Sequence, residues 1–387
     1  MLFALFTRAY FQQIKFSHNK QAYQNRIMSE ISNLGEFGLI NHLTQDIKQK
    51  NAETQYGIGD DCAVVRFSQD KDLLITTDML MEGIHFDLTY MPLKHLGYKS
   101  AMVNFSDVYA MGGIPKQITI SIALSQRFSV EAIEEFYSGI RLACDHHNVD
   151  IVGGDTTSSL TGLAISITCI GEVERGKAIY RNGAKETDLV CVSGDLGGAY
   201  MGLQLLEREK VVYYEQLKKL EKLEGEAREL AAMEMAQPDF HGKEYLLERQ
   251  MRPEARGDII SKLHDAGIHP SSMIDISDGL SSELMHICNQ SGVGCRIYEE
   301  RIPLDYQTAV MAEELNMNVS TCALNGGEDY ELLFTVPLSE KDKIETIEDV
   351  KMIGYITKSD LGMALITRDG NEFELKAQGW NHLGDKQ

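Results

Sequence analysis

The chain has 387 residues, 43% hydrophobic and 25% charged, with Lys+Arg 37 against Asp+Glu 58 and a formal net charge of −21. That length suits two domains. The acidic balance argues against nonspecific nucleic-acid binding and against anionic membrane surfaces, and no apolar run reaches the roughly 18 residues that span a bilayer.

The N-terminus, Met1-Leu-Phe-Ala-Leu-Phe6 followed by Arg8 and Lys15, reverses the charge order of a secretory signal. Residues 1–31 therefore read as an extension, with Met1 or Met28 as the start. Residues 29–50 place Leu39, Ile40, Leu43 and Ile47 at helical spacing behind Ser29 or Ser32. Residues 63–67 and 73–77 read as a hairpin with acids at its ends. A helix over 93–112, a strand over 117–124 and a helix over 130–147 follow. Residues 150–152 read as a short strand ending at Gly153-Gly-Asp155, and 163–173 as an alternating strand.

The polar stretch Glu174-Arg-Gly-Lys177 marks a boundary between domains at 32–174 and 175–387. Beyond it come a strand over 189–193, a glycine-rich turn and a helix. Residues 207–250 are dense in Glu, Lys and Leu and read as a helical insertion that Pro253 ends. Helices over 254–266 and 280–291 and a strand-rich tail over 352–375 complete an α/β or α+β alternation. The seven cysteines form no Cys-x-x-Cys pair, and several lie in apolar runs. They read as buried thiols of a reducing, cytoplasmic compartment.

Six short acidic motifs recur beside Gly, Ser or Thr: Gly57-Ile-Gly-Asp-Asp61, Thr76-Thr-Asp78, Asn104-Phe-Ser-Asp107, Gly153-Gly-Asp155, Asp275-Ile-Ser-Asp-Gly279 and Gly326-Gly-Glu-Asp329. Each motif alone reads first as a turn or a helix cap. Six of them, placed where strands should end, point to Mg²⁺ holding a polyphosphate. A hard cation takes carboxylate and hydroxyl oxygens, and no His/Cys spacing suits zinc. Asp60 and Asp61 are adjacent, so one faces the site and the other caps or pairs. Thr76 and Asp78 share a strand face, and Thr77 joins only if the strand twists. The start of a helix after Gly279 offers free N–H groups to phosphate. Gly-x-x-x-x-Gly-Lys-[Ser/Thr] is absent, as are the protein-kinase signatures.

These motifs, with Gly83-Ile-His85-Phe86, Lys99 to Asp107, Met111-Gly-Gly113, Arg181-Asn-Gly-Ala184 and Gly326 to Leu332, follow one another as in bacterial thiamine-monophosphate kinase. From about residue 32 onward the chain closely resembles that family, within the superfamily of aminoimidazole ribonucleotide synthetase. The resemblance implies the two-domain fold of that superfamily, with an N-terminal domain that builds an inter-subunit β-barrel in a homodimer. It implies ATP-dependent phosphorylation of thiamine monophosphate with several Mg²⁺ ions. Asp61, Thr76, Thr77, Asp78, Asp107, Asp155, Asp275 and Asp278 would be metal ligands. Tyr137, Gly154, Asp155, Arg181 and Ser277 would contact ATP, and His85, Glu328 and Trp380 thiamine monophosphate. An ionised phosphate acceptor needs no general base, so no catalytic base is expected. The residues by themselves also admit another superfamily enzyme, such as aminoimidazole ribonucleotide synthetase, or a non-catalytic metal-dependent nucleotide sensor. The extension and the 207–250 insertion exceed the family pattern and carry no matched residue.

Overall fold

The computed structural model describes residues 35–47, 50–225, 238 and 240–376. The chain divides into two compact units, Met1–Ile47 with Asn381–Gln387, and Lys48–Trp380. The described part of the first unit is helix α1 (Gly35–Thr44) and the three residues after it. All other elements belong to the second unit.

The second unit contains two sheets. In the first, strands β1 (Thr54–Tyr56), β2 (Ala63–Arg66), β3 (Lys71–Met81), β4 (Ile114–Leu124), β5 (Asp150–Ser158) and β6 (Ala164–Glu174) lie in the order β1-β2-β3-β6-β4-β5. β3 and β6 pair antiparallel from Lys71–Glu174 to Met81–Ala164. β5 runs parallel to β4 at the edge and is exposed along its whole length.

Helix α2 (Leu93–Ala110) covers one face of this sheet and is buried on nearly every side. Such a helix has no polar face to turn to water, so its polar residues must find partners inside. Helix α3 (Val130–His147) begins at Ser129, whose side chain accepts from Ala132 N–H at 3.2 Å, and ends at Asn148 in the left-handed conformation, φ 55°. It crosses α2 where two glycines meet. A Cβ on Gly97 would lie 2.0 Å from the Phe136 oxygen, and one on Gly139 1.8 Å from the Lys94 oxygen. That contact brings the two backbones together and leaves no room for any side chain.

The second sheet has the order β13-β12-β9-β11-β7-β10-β8. Its strands are β7 (Leu189–Ser193), β8 (Ser272–Asp275), β9 (Val293–Tyr298), β10 (Leu332–Val336), β11 (Val350–Lys358), β12 (Met363–Ile366) and β13 (Glu372–Glu374). Helices α4 (Gly198–Leu220), α5 (Glu244–Met251), α6 (Gly257–Asp265), α7 (Leu280–Ser291), α8 (Tyr306–Glu314), α9 (Val319–Asn325) and the short α10 (Lys341–Ile344) accompany it. Met201, Leu205, Leu246, Met311 and Cys322 form a satellite core that fixes α4 against α5, α8 and α9. All seven cysteines are buried and unpaired. Among the described residues no helix is long and apolar enough to cross a membrane.

Several elements depart from the sequence reading. β5 continues through the Gly-Gly-Asp motif to Ser158, because its pairing with β4 carries it past the glycines. Asp78 lies within β3 and Asp107 within α2, so these acids do not end strands. β10 is buried at every position, and a strand covered on both faces shows none of the alternation that reveals a half-exposed one. The insertion is continuous with α4, which starts nine residues ahead of position 207.

Candidate functional site

Asp61, Asp107 and Asp275 converge, with one carboxylate oxygen of each lying within 4.8 Å of the others. They come from the loop before β2, from α2 and from the end of β8. α2 is the common support. Its Ser106 Oγ donates to Asp275 at 2.6 Å, its Asp107 accepts from Thr76 Oγ1 at 2.5 Å, and its Asn104 side chain accepts from Asp78 N–H at 3.2 Å. On β3, Thr76 and Asp78 lie on the covered face, two residues apart. Arg181 donates to Asp61 at 2.5 Å, and its backbone N–H to Asp60 at 3.1 Å. Asp60 also accepts the Asp61 N–H at 3.0 Å, so it pairs and caps while Asp61 faces inward.

Crowded acids resist ionisation. Burial, then the Asp61 charge, pushes Asp275 up to about 7 and Asp78 up to about 6. Asp107 is raised by burial and then by Asp78, Asp275 and Asp61. Burial raises Asp61 against the opposing pull of Arg181. One oxygen of Asp61, Oδ2, is buried without a hydrogen-bond partner. An all-oxygen donor set with an unsatisfied inward carboxylate fits a hard divalent cation such as Mg²⁺.

Two loops close beside these acids. Glu328 N–H donates to Ser277 O at 2.7 Å, Tyr330 N–H to Ile276 O at 2.8 Å and Ile276 N–H to Glu331 O at 2.8 Å. Gly327 makes the approach possible. It has φ +70°, and a Cβ there would lie 2.5 Å from Ser277 O. Glu328 itself adopts φ 58°. Its carboxylate pairs with Lys99 at 2.9 Å and accepts from Gln250 at 3.0 Å, Lys99 being fully buried. The phenol of Tyr330 is pushed up by burial first, then by the charges of Glu328, Asp78, Asp275 and Asp278. His85 sits in the loop after β3, its Nδ1 accepting Met81 N–H at 3.0 Å.

Other expected residues are not brought to this place. Thr77 points to the opposite face of β3, where its hydroxyl donates to Ile167 O at 3.1 Å. Asp155 is in register with Ser121, Ser166 and Met79, again the face opposite Asp78. It is also three strands away, about 14 Å by strand spacing. Gly154, beside it, approaches Ile120 so closely that a Cβ would lie 1.9 Å from its oxygen. Tyr137 lines a cavity of about 410 Å³ with Leu124, Phe128, Val130, Ile133 and Arg141. Trp380 lies outside the described residues.

Glu283 escaped the sequence reading. It is buried in the first turn of α7, accepts Asp278 N–H at 3.1 Å and keeps Oε2 unpartnered. Its position early in a helix opened by Ser-Asp-Gly was the available signal, since acids there reach back to cap preceding amides. Asp329 caps α4, accepting Gly197 N–H at 2.8 Å. A second cluster, His146, His147 and Glu254, is close enough to hold a cation. There, however, Glu254 already accepts Tyr98 through both oxygens, at 2.7 and 2.8 Å, and pairs with Arg252 at 3.5 Å. His147 shares its Nδ1 with the Tyr109 hydroxyl at 2.8 Å.

Residues 59–173 match the family described as AIR synthase related protein, N-terminal domain. The thiamine-monophosphate kinase of Aquifex aeolicus (strain VF5) is 37% identical over 353 residues, covering 91% of this chain and 99% of that protein. That of Bacillus subtilis (strain 168) is 31% identical over 358 residues, covering 90% and 100%. The solved structure of AaThiL complexed with AMPPCP and TMP superposes with a TM-score of 0.74 at 33% identity, over 92% of this chain and 99% of that one.

Proposed function

The chain belongs to the thiamine-monophosphate kinase family, and from that we propose that it transfers the γ-phosphoryl group of ATP to thiamine monophosphate, giving thiamine diphosphate and ADP. The observation that carries the chemistry is the convergence of Asp61, Asp107 and Asp275 beside Asp78 and Arg181. Asp61, Thr76, Asp78, Asp107, Asp275 and Asp278 would hold Mg²⁺. Bound there, the metal would supply positive charge that offsets the repulsion between two polyanions.

The chain's own residues then position and exclude. Arg181 presents a planar donor fork to ATP phosphate. The Ser277 loop and the start of α7 supply hydroxyl and N–H donors. Glu328, fixed by Lys99 and Gln250, meets the aminopyrimidine or thiazolium of thiamine monophosphate together with His85, and Trp380 stacks on a ring with cation–π attraction. The acceptor oxygen is ionised at neutral pH, so transfer is direct and in line without a general base or a phosphoenzyme.

The residues 32–174 and 175–387 act as two domains, each around its own sheet, in a cytoplasmic homodimer. The exposed edge strand β5 is the natural seam, because an unpaired strand edge recruits a second strand. Asp155 and Thr77, which face away from the acids of their own copy, join ATP and metal across the two-fold, with Gly154 beside Asp155 on the same edge strand.

The test is ADP release and thiamine diphosphate formation from ATP, Mg²⁺ and thiamine monophosphate. Absence of that product with folded protein overturns the reading, and labelled γ-phosphate recovered covalently on the chain overturns direct transfer. Mixing two inactive variants, Asp78→Ala and Asp155→Ala, regains activity if Asp155 serves the other copy. Continued inactivity in proven heterodimers rejects the shared site.

A further inference from the structure

α4 extends well past the satellite core that anchors its first turns, and the part beyond Leu206 has so far no role. The residues that begin this part, Glu207 and Lys210, are three apart and share a helix face. Both are partly exposed, but their charged ends are engaged. Tyr90 Oη donates to Glu207 Oε1 at 2.8 Å. Lys210 Nζ donates to both oxygens of Glu207 at 3.0 Å and pairs with Asp87 at 2.9 Å. It also lies 5.7 Å from the centre of the Tyr90 ring.

Asp87 and Tyr90 belong to the loop that carries His85. Asp87 organises that loop from within. Its side chain accepts Thr89 N–H at 2.8 Å, and its carbonyl accepts Tyr90 N–H at 3.3 Å and Met91 N–H at 2.9 Å. Phe86 and Met91 are buried and anchor the loop on its apolar side. The polar side, Asp87 to Tyr90, is fixed by α4. His85 stands between the end of β3 and the Phe86 anchor, two residues from Asp87. His85, Phe86 and Asp87 are thus held in succession, by Met81 N–H, by burial and by Lys210.

We propose that Glu207 and Lys210 of the long helix α4 are positioning residues that clamp the His85 loop through Tyr90 and Asp87, and so set the affinity for thiamine monophosphate. This rests on the reading that His85 meets that substrate. The helical insertion thereby acquires a function. It extends the helix that braces the acceptor loop, and Glu207 and Lys210 bond to Tyr90, Asp87 and each other. A single exposed ion pair shifts an equilibrium by about fivefold at most. Here Lys210 holds two carboxylates and Glu207 adds a third link, and small displacements of a substrate-positioning group are costly.

The experiment uses the full chain and its Lys210→Met, Tyr90→Phe and Lys210→Arg variants, with melting curves to establish folding. Rates of thiamine diphosphate formation are taken against thiamine monophosphate at saturating MgATP, and against ATP at saturating thiamine monophosphate. Lys210→Met and Tyr90→Phe each raise the KM for thiamine monophosphate by about three- to tenfold, with the KM for ATP within about twofold of wild type. Lys210→Arg restores most of the loss. Amide exchange over residues 82–91 quickens in Lys210→Met. An unchanged KM for thiamine monophosphate, or equal rises in both KM values, overturns the proposal. If the wild-type chain forms no thiamine diphosphate, the functional reading fails. Exchange over 82–91 then decides the clamp by itself, faster in Lys210→Met if it exists and unchanged if it does not.

Discussion

Ser106 on α2 donates a 2.6 Å hydrogen bond to Asp275 at the end of β8, joining residues 169 positions apart in the chain. Both are buried, so the bond satisfies a carboxylate oxygen that water does not reach. Ser106→Ala leaves that oxygen unpaired, at a cost of about 1–3 kcal/mol. Urea denaturation reads this as a lower midpoint with unchanged slope. A variant as stable as wild type would show that the bond adds nothing.

Asp78→Ala abolishes phosphoryl transfer while preserving the fold. Removing one member of a mutually repelling group relieves the others, so the variant in EDTA melts no lower than wild type. Mg²⁺ raises the melting temperature of the wild-type chain, since a ligand bound only by the native state stabilises it. It raises that of Asp78→Ala less. Near wild-type turnover in the variant would remove Asp78 from the metal site.

Gly327→Ala tests the junction of the two loops. The new Cβ meets Ser277 O at 2.5 Å in a left-handed backbone, so the Glu328–Ser277 hydrogen bond has to lengthen. The cost is about 1–3 kcal/mol of strain. Because Glu328 moves with it, the KM for thiamine monophosphate rises more than the KM for ATP. An equal rise in both would place the damage elsewhere.

His147 gives the fold a pH dependence of definite sign. Burial first, and His146 second, lower its pKa to about 4. An unfolded histidine titrates near about 6.5. Between these values the unfolded chain binds a proton that the native one refuses, so stability falls as pH drops from 6.5 towards 4. The melting temperature of wild type therefore declines over that window, and His147→Gln shows a shallower decline. Parallel curves would contradict the assignment.

Much of this was readable in the residues. Helix α3 and strand β7 occupy the spans their patterns predict, Val130–His147 and Leu189–Ser193. The Asp61, Asp107 and Asp275 motifs meet in space. Less legible were features that depend on tertiary partners. The helix over 93–112 was legible, but not that α2 is buried nearly all round and turns Asn104, Ser106 and Asp107 to partners inside the protein. The resemblance assigned Arg181 to ATP, and nothing in the residues showed that it pairs with Asp61. Nor does spacing along β5 reveal that Asp155 faces away from Asp78, because that follows from which strands become neighbours.

The pairs Ser106–Asp275, Arg181–Asp61 and Lys99–Glu328 all cross the boundary between the two sheets' segments. Each joins a side chain from residues 54–174 to one from the rest of the chain. The halves are thus poor currency for recombination. A chimera that takes residues up to 174 from one relative and the remainder from another inherits mismatched partners at one buried and two partly buried contacts. Substitutions on either side of these pairs are expected to track each other, and exchange succeeds only when both members of each pair travel together.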